Sequence, residues 1–265
     1  MTTKLRLDAE LVRRGLARSR EHARELVDAG HVRVAGIVAT KAATGVDPAA
    51  SLVVTGEAGP DYVSRGAVKL AGALARLGGP AVEGRRCLDA GASTGGFTDV
   101  LLRAGAREVA AVDVGYGQLA WRLRSDQRVH VHERTNVRDL TATDIGGAVD
   151  LTVADLSFIS LTVVLPALAR CTHHDGDLLL MVKPQFEVGR EAVGAGGVVR
   201  SPQLRTQAVC AVAVTADSLG LGVRGVVASA LPGPSGNVEY FLWLARGAAP
   251  LDPADAMRAV AEGPA

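Results

Sequence analysis

The chain has 265 residues, 48% of them hydrophobic, and its 29 basic residues nearly balance 28 acidic ones. This length predicts one or two domains with a packed core. The three cysteines, Cys87, Cys171 and Cys210, lie far apart in apolar segments, which excludes a disulfide framework and a cysteine metal site. The first ten residues are charged, and no apolar run is long enough to span a bilayer. We therefore expect a cytoplasmic protein without a signal peptide or a membrane span.

The first part of the chain predicts a small basic module. Residues 1–41 contain nine Lys or Arg and five Asp or Glu. Ser19 is a suitable N-cap for a second helix, Arg20–Ala29, which Gly30 ends. Two short strands follow, Val32–Val34 and Leu52–Val54. The basic excess indicates either a surface that binds a polyanion or an ordinary solvated helix face.

The segment from Cys87 to Leu102, with the sequence CLDAGASTGGFTDVLL, predicts a strand, a glycine-rich turn and a helix. This is the opening unit of a doubly wound α/β domain, which binds its ligand at the carboxyl ends of the strands. Further apolar strands follow at 109–112, 129–131, 151–154, 178–182, 223–228 and 238–244. The predicted fold class is therefore α/β, a Rossmann-like domain behind a small α+β module.

The glycine turn itself narrows the choice of ligand. Ser93 occupies the second glycine position of the dinucleotide fingerprint, and no Gly-Lys-Ser/Thr triplet of a phosphate-binding loop follows. Asp89 would repel a diphosphate, but it would attract a sulfonium or an amino group. S-adenosylmethionine carries both groups. A glycine turn that binds nothing is the competing interpretation of this stretch taken alone.

Other strand ends add candidates for the same cofactor. Asp113 ends the second strand, where an acid accepts hydrogen bonds from ribose hydroxyls, and the third strand leads to Asn136, which could meet an adenine edge. The predicted cofactor-binding residues are Asp89, Gly91, Ser93, Gly95, Gly96, Phe97, Asp113, Asn136, Val137 and Asp155. We expect no metal, since His130 and His132 have no third ligand at a suitable spacing.

Four charged residues, Lys69, Asp155, Lys183 and Glu239, are the predicted catalytic set. Each has an ordinary explanation by itself, as a helix cap, an exposed lysine or a surface pair. Their order resembles the K-D-K-E tetrad of the FtsJ-type RNA ribose 2′-O-methyltransferases. The resemblance implies that Lys183 lies nearest the attacking 2′-hydroxyl, where it would act either as a general base or as a hydrogen-bonding group that aligns the hydroxyl.

The basic module resembles the S-four RNA-binding domain through Arg6-Leu7-Asp8, Gly15-Leu16, Ser19-Arg20 and the pattern Gly30-x-Val32-x-Val34-x-Gly36. This resemblance implies phosphate contacts by basic side chains, for which the planar arginine fork is well suited. The predicted RNA-binding residues are Arg6, Arg14, Arg18, Arg20, Arg24 and Lys41, together with Arg65 and Arg138 in the second domain.

The whole chain resembles the TlyA, or hemolysin, family through ASTGGFTDVLL, DVGYGQLAW, VADLSFISL, VKPQFEVG and LPGPSGNVEYFLWL. This implies an S-adenosylmethionine-dependent enzyme that methylates cytidine 2′-hydroxyls of ribosomal RNA within ribosomal subunits, in the large and, for longer members, also the small subunit. The implied domains are residues 1–57 (S-four), 58–63 (linker), 64–248 (methyltransferase) and 249–265 (tail). Tyr62 departs from the family, which often has Trp there.

Three other functions remain open at this point. Asp155-Leu156-Ser157-Phe158 resembles the D-P-P-[FY] motif of base-directed amino methyltransferases, although both prolines are missing. A membrane-lytic protein would explain the hemolysin name, and a non-catalytic RNA-binding assembly factor would explain the basic module. The oligomeric state is open, and a monomer is compatible with the sequence.

Overall fold

A computed structural model describes residues 4–17, 19–55 and 62–263. The chain divides into two compact units, Met1–Asp61 and Tyr62–Ala265. Of the predicted linker, residues 58–61 lie outside the described residues, whereas Tyr62 and Val63 belong to the second unit.

The first unit is a small α+β module, as predicted. Its second helix begins as expected, because the Ser19 side chain accepts a hydrogen bond from the His22 backbone N–H at 3.1 Å. Its core is formed by buried apolar side chains from both helices and from the strands. The elements are β1 (Leu5–Arg6), α1 (Leu7–Arg13), α2 (Arg20–Asp28), β2 (Val32–Val34), β3 (Ile37–Val38), β4 (Gly45–Val46) and β5 (Leu52–Val54).

The second unit is built on one seven-stranded sheet. Its strands are β6 (Arg86–Ala90), β7 (Glu108–Val112), β8 (Val129–His132), β9 (Val149–Ala154), β10 (Thr172–Val182), β11 (Leu221–Ala228) and β12 (Tyr240–Arg246). Its helices are α3 (Arg65–Leu77), α4 (Gly96–Arg103), α5 (Trp121–Arg124), α6 (Leu161–Cys171), α7 (Pro184–Glu187), α8 (Pro202–Ser218) and α9 (Pro253–Ala261).

The strand order in this sheet is β11-β12-β10-β9-β6-β7-β8. β12 runs antiparallel to both of its neighbours, and the other pairs are parallel. Val182, the last residue of β10, pairs with Tyr240, the first residue of β12. The start of β12 therefore lies at the same edge of the sheet as the carboxyl ends of the parallel strands, which is the ligand-binding edge of such folds.

Both faces of the sheet are covered by helices, which explains why its strands are nearly continuous apolar runs. Leu178 and Leu180 of β10 point into one core, and Leu179 and Met181 point into the other. This alternation follows from the two-residue period of a strand. The predicted α/β fold is confirmed.

The predicted tail, 249–265, contains the helix α9. Asp252 caps this helix by accepting a hydrogen bond from the Ala254 N–H at 2.8 Å, and Pro253 occupies its first turn. Ala256 and Ala259 are buried against α8 and β11. The last helix is thus part of the second unit.

Candidate active site

The glycine-rich turn after β6 allows three backbone segments to approach one another closely. Gly91 has φ +87°, and a Cβ at this position would lie 2.5 Å from the carbonyl oxygen of Asp155. A Cβ on Gly96 would lie 2.3 Å from the Ser64 hydroxyl oxygen. Only glycine fits at these two positions. The turn therefore lies directly against the start of α3 and the end of β9.

An open cleft of about 350 Å³ lies over this turn. Five of the predicted cofactor-binding residues contribute to its wall, and so do two small residues near the start of α3. The lining residues are Ser64, Gly66, Gly91, Ala92, Ser93, Thr94, Gly96, Phe97 and Asp155.

Asp89, the acid before the turn, is fully buried. The Thr98 hydroxyl donates to its Oδ2 at 2.6 Å, whereas Oδ1 has no hydrogen-bond partner among the described residues. Burial raises the pKa of this carboxyl group to about 7, and the hydrogen bond from Thr98 opposes the shift. A buried oxygen without a donor is costly. Asp89 does not line this cleft, so its contact with a cationic ligand group stays a prediction, for which the unpartnered oxygen is suited.

Asp113 lies at a second, shallow cleft, which adjoins the first at Ala92 and Ser93. Its Oδ2 accepts from the Ser93 backbone N–H at 2.8 Å, and its Oδ1 accepts from the Gly115 N–H at 2.6 Å. Each carboxylate oxygen has a second lone pair, so the side chain can still accept from ribose hydroxyls.

Asn136 and Val137 do not line either of the two clefts. The Asn136 side chain accepts from the Arg138 backbone N–H at 3.0 Å and caps a short 3-10 helix, Val137–Asp139. Val137 is buried in the core. The structure thus gives both residues a local structural role, and their prediction as cofactor contacts stays a prediction.

Two members of the predicted tetrad, Lys69 and Glu239, form a buried ion pair. Lys69 Nζ lies 2.6 Å from Glu239 Oε2, and the two side chains are only 8% and 2% exposed. Lys69 is therefore not an ordinary exposed helix lysine. Glu239 lies one residue before β12, so the antiparallel direction of that strand brings its carboxylate to the ligand-binding edge.

The other two members of the tetrad, Asp155 and Lys183, lie beside the cleft. Lys183 Nζ is 2.5 Å from Asp155 Oδ1, and it also donates to the Ser157 hydroxyl oxygen at 3.0 Å. Lys183 directly follows β10, and Asp155 directly follows β9. A Cβ on Gly66 would lie 3.8 Å from Asp155 Oδ2, so the beginning of α3 adjoins this pair. The four predicted residues thus form two Lys–carboxylate pairs at one edge of the sheet.

Three further polar residues at this site were not singled out from the sequence as site residues. Ser157 accepts from Lys183, Thr98 donates to Asp89, and Glu187 accepts from the loop after β9. All three act through hydrogen bonds between separate segments, for which a single sequence offers no periodic signal.

An aromatic pair lies on the two loops that carry Asp155 and Lys183. Phe158 is 92% exposed, and its ring centroid is 5.3 Å from that of Phe186. The loop after β9 carries the Phe158 ring out of the core. Phe97, by contrast, is buried and packs against Phe241.

The predicted RNA-binding arginines of the first unit surround one buried carboxylate. Asp8 Oδ2 lies 2.9 Å from Arg6, 3.2 Å from Arg20 and 3.7 Å from Arg24. These interactions, led by the hydrogen bond from Arg6, hold the pKa of Asp8 well below its usual range. The three arginine side chains remain about half exposed. Asp8 therefore gathers three cations on one surface.

Arg14 differs from these arginines. Its guanidinium donates to the carbonyl oxygens of Pro48 and Ala50 at 2.6 and 2.7 Å and to Glu10 at 2.7 Å. These bonds give Arg14 a structural role in holding the module together, and its prediction as a phosphate contact stays a prediction. Arg18 lies outside the described residues.

The other predicted RNA contacts differ in exposure. Lys41 and Arg138 are exposed, whereas Arg65 is half-buried and donates to the Pro232 carbonyl oxygen at 3.4 Å. Within residues 4–17, 19–55 and 62–263, no group of three metal-ligating side chains occurs, and no helix has the length and apolar character that crossing a bilayer requires.

Family comparison agrees with this geometry. The sequence-family model of the FtsJ-like methyltransferases matches residues 62–246, which is more than half of the chain. The chain belongs to the FtsJ-like methyltransferase family. The S4 domain model, which describes the S-four domain predicted above, matches residues 5–51. This methyltransferase thus carries an S4 domain ahead of its FtsJ-like unit.

Several relatives are similar to this chain over most or all of its length. The chain is 60% identical over 270 residues to the 16S/23S rRNA (cytidine-2'-O)-methyltransferase TlyA of Mycobacterium tuberculosis, and the match covers 100% of both chains. Hemolysin A of Brachyspira hyodysenteriae is 35% identical over 89% of this chain and 98% of its own. A solved structure from Streptococcus thermophilus that bears a hemolysin name is 38% identical, with a TM-score of 0.78 over 99% of this chain and 96% of its own.

Proposed function

We propose that this chain transfers a methyl group from S-adenosylmethionine to the 2′-hydroxyl of cytidine in 16S and 23S ribosomal RNA. The observation that carries the proposal is the pair of Lys–carboxylate contacts, Lys183–Asp155 and Lys69–Glu239, at the sheet edge beside the cleft. The relative named for this reaction on both RNAs supports the choice of substrate.

The residues of the cleft fit S-adenosylmethionine. Asp89 lies buried directly before the turn, and its unpartnered Oδ1 is proposed to accept from the ammonium group of the methionine portion. The second lone pairs of Asp113 are suited to the ribose hydroxyls. Gly91 and Gly96 let the turn lie against Asp155 and Ser64, which form the wall of the cleft. When bound, the cofactor supplies an electrophilic methyl group on its sulfonium.

Lys183 is proposed to align the ribose 2′-hydroxyl. As an ammonium group it has three N–H donors, of which Asp155 and Ser157 accept one each. The third is available to the O2′ atom, and a fixed orientation of that oxygen toward the methyl group accounts for much of the rate of an in-line displacement. This favours the aligning role of Lys183 over a general base. The O2′–C bond then forms as the C–S bond breaks, and the hydroxyl proton leaves to the water of the open cleft.

The S4 domain is proposed to bind the ribosomal RNA. Arg6, Arg20 and Arg24 present a cluster of half-exposed guanidinium groups around Asp8, and guanidinium groups bind phosphate oxygens in a bidentate manner. The substrate is then RNA within ribosomal subunits, and the enzyme acts in the cytoplasm.

Methylation of purified ribosomal subunits with radiolabelled S-adenosylmethionine tests this proposal. We expect label in RNA from both subunits, and we expect alkaline hydrolysis to leave the labelled linkage uncleaved, because a 2′-O-methyl group removes the attacking hydroxyl. Lys183→Ala should abolish transfer while binding of S-adenosylhomocysteine and of RNA persists. A labelled product that alkali cleaves completely would instead establish base methylation.

The lytic alternative has its own test. Flotation with anionic and neutral liposomes should leave the protein in the unbound fraction. Strong vesicle binding in the absence of RNA, together with no methylation of either subunit, would support the function that the hemolysin names suggest.

A further inference from the structure

Two loops carry the catalytic pair nearest the cleft. The first loop, residues 155–160, follows β9, and the second, residues 183–187, follows β10 and includes α7. They are cross-linked at one end by Lys183, which contacts Asp155 and Ser157. In the middle, the Phe158 and Phe186 rings are in contact.

Glu187 makes the cross-link at the far end. Its Oε2 accepts from the Ser160 hydroxyl at 2.5 Å, and its Oε1 accepts from the Leu161 backbone N–H at 2.8 Å. Ser160 also caps α6 by accepting from the Thr162 N–H at 3.1 Å. Both oxygens of one half-buried carboxylate are therefore used to fix the end of the first loop against the second.

Between these fixed ends, the backbone of the first loop is strained. Phe158 has φ +65°, a left-handed conformation that a bulky side chain rarely adopts. Such a conformation persists only where the surroundings impose it. The ring is 92% exposed, so packing of the side chain does not impose it. The constraints are the contacts at the two ends, Lys183 with Asp155 and Glu187 with Ser160 and Leu161.

We propose that Glu187 and Ser160 are positioning residues for methyl transfer: they fix the first loop so that Asp155 and Ser157 hold the Lys183 ammonium group toward the cleft. This role rests on the proposed function. Neither Glu187 nor Ser160 lines the two clefts described above, so their removal acts on the alignment of Lys183 and leaves cofactor binding intact.

The first experiment compares Glu187→Ala with the wild-type full-length protein. We expect kcat for subunit methylation to fall about tenfold or more, which is the size of effect of about one lost hydrogen bond. The Kd for S-adenosylhomocysteine should stay within about twofold. Glu187→Gln, which keeps an acceptor for Leu161 and a polar partner for Ser160, should recover most of kcat. Glu191→Ala removes an exposed carboxylate from the following segment and should change nothing.

The second experiment separates loop positioning from helix capping. Ser160→Asp keeps an N-cap for α6 but places a second carboxylate against Glu187. We expect this variant to keep its thermal stability within a few degrees and yet to lose kcat as Glu187→Ala does. Ser160→Thr keeps the hydroxyl and should retain activity. Wild-type kcat in Ser160→Asp would overturn the proposal.

Hydrogen exchange of the unliganded protein distinguishes failure of this proposal from failure of the proposed function. Glu187→Ala should speed amide exchange in a peptide that covers residues 155–162, because the Leu161 N–H loses its acceptor, and it should leave the Ser201-capped start of α8 unchanged. Faster exchange with undiminished methylation would overturn the positioning role. A wild-type protein that methylates no ribosomal RNA would overturn the proposed function, whatever the exchange shows.

Discussion

Asp89 is a carboxylate whose proton is expected to control cofactor binding. Its pKa is raised to about 7 by burial in the unliganded protein, whereas a bound ammonium group requires the ionised form. Below pH 7 most Asp89 side chains are protonated, so this carboxyl group must lose its proton when the ammonium group of the cofactor binds. We predict that the Kd for S-adenosylhomocysteine rises by up to about tenfold for each pH unit from 7 to 5.5.

Calorimetry at several pH values between 5.5 and 7.5 measures this dependence. Asp89→Asn should bind more weakly at pH 7.5 and show almost no change with pH, because its amide does not titrate. A wild-type Kd that is constant over this range would contradict the assigned role of Asp89.

The buried pair Lys69–Glu239 leads to a prediction about stability and activity together. Glu239→Ala leaves the Lys69 ammonium group buried without a partner, which should lower the free energy of unfolding by about 3–5 kcal/mol. In Lys69→Met/Glu239→Leu, apolar groups of similar volume replace both charges, and most of that stability should return.

Denaturant unfolding and subunit methylation on the same preparations check this prediction. The double variant should remain inactive even though it is stable, if the pair acts on the substrate region. Methylation by a stable double variant would show that the pair serves folding alone.

Lys69 also shows where inference from sequence reaches its limit at the scale of a residue. By its position in α3 it is an ordinary helix lysine, and only the family resemblance marked it as catalytic. Its partner is 170 residues away in the chain, and no local pattern reports such a pairing. Asp113, by contrast, follows a clear apolar strand, and its place at the sheet edge was predictable.

At the scale of elements, the strands were the most predictable part of the molecule. Those of the large sheet are buried on both faces, so hydrophobicity alone marks them. The helix α9 was missed although its signals are present: Asp252 at the cap, Pro253 in the first turn, and Ala256 and Ala259 at helical spacing. Its small side chains give a weak apolar pattern, whereas its burial depends on α8, which is distant in sequence.

Because α9 packs into the core, a charge on its inner face should be disruptive. Ala256 is fully buried, and Ala256→Asp should lower the free energy of unfolding by about 3 kcal/mol or more, since an unpaired carboxylate would be buried. Ala254→Asp, on the exposed first turn of the same helix, should be neutral or slightly stabilising. Equal losses in the two variants, measured by urea unfolding, would contradict the placement of this helix.

At the scale of the whole molecule, a formal net charge of only +1 conceals a cationic cluster in the first unit. If Arg6, Arg20 and Arg24 each neutralise a phosphate, changing all three to Gln should reduce the slope of log K against log salt by about 2 to 3. Asp8→Asn should be included in the variant, so that no buried carboxylate is left without its partners.

Binding of ribosomal RNA between about 50 and 200 mM salt measures this slope. Asp8→Asn alone is the matched reference, and Arg258→Gln, on the exposed side of α9, should leave the slope unchanged. A quadruple variant whose slope equals that of the reference would place the RNA surface elsewhere.

The pairing of Lys69 with Glu239 also has a consequence for the order of events during synthesis. Lys69 and Glu239 are 170 residues apart in the chain. At a translation rate of about 5–20 residues per second, Glu239 is added roughly 9 to 34 seconds after Lys69. The cationic cluster and the glycine turn are made well before the last acid. A nascent chain can thus acquire the proposed RNA-binding surface early, but it gains the full set of proposed catalytic residues only when the last strand of the sheet is in place.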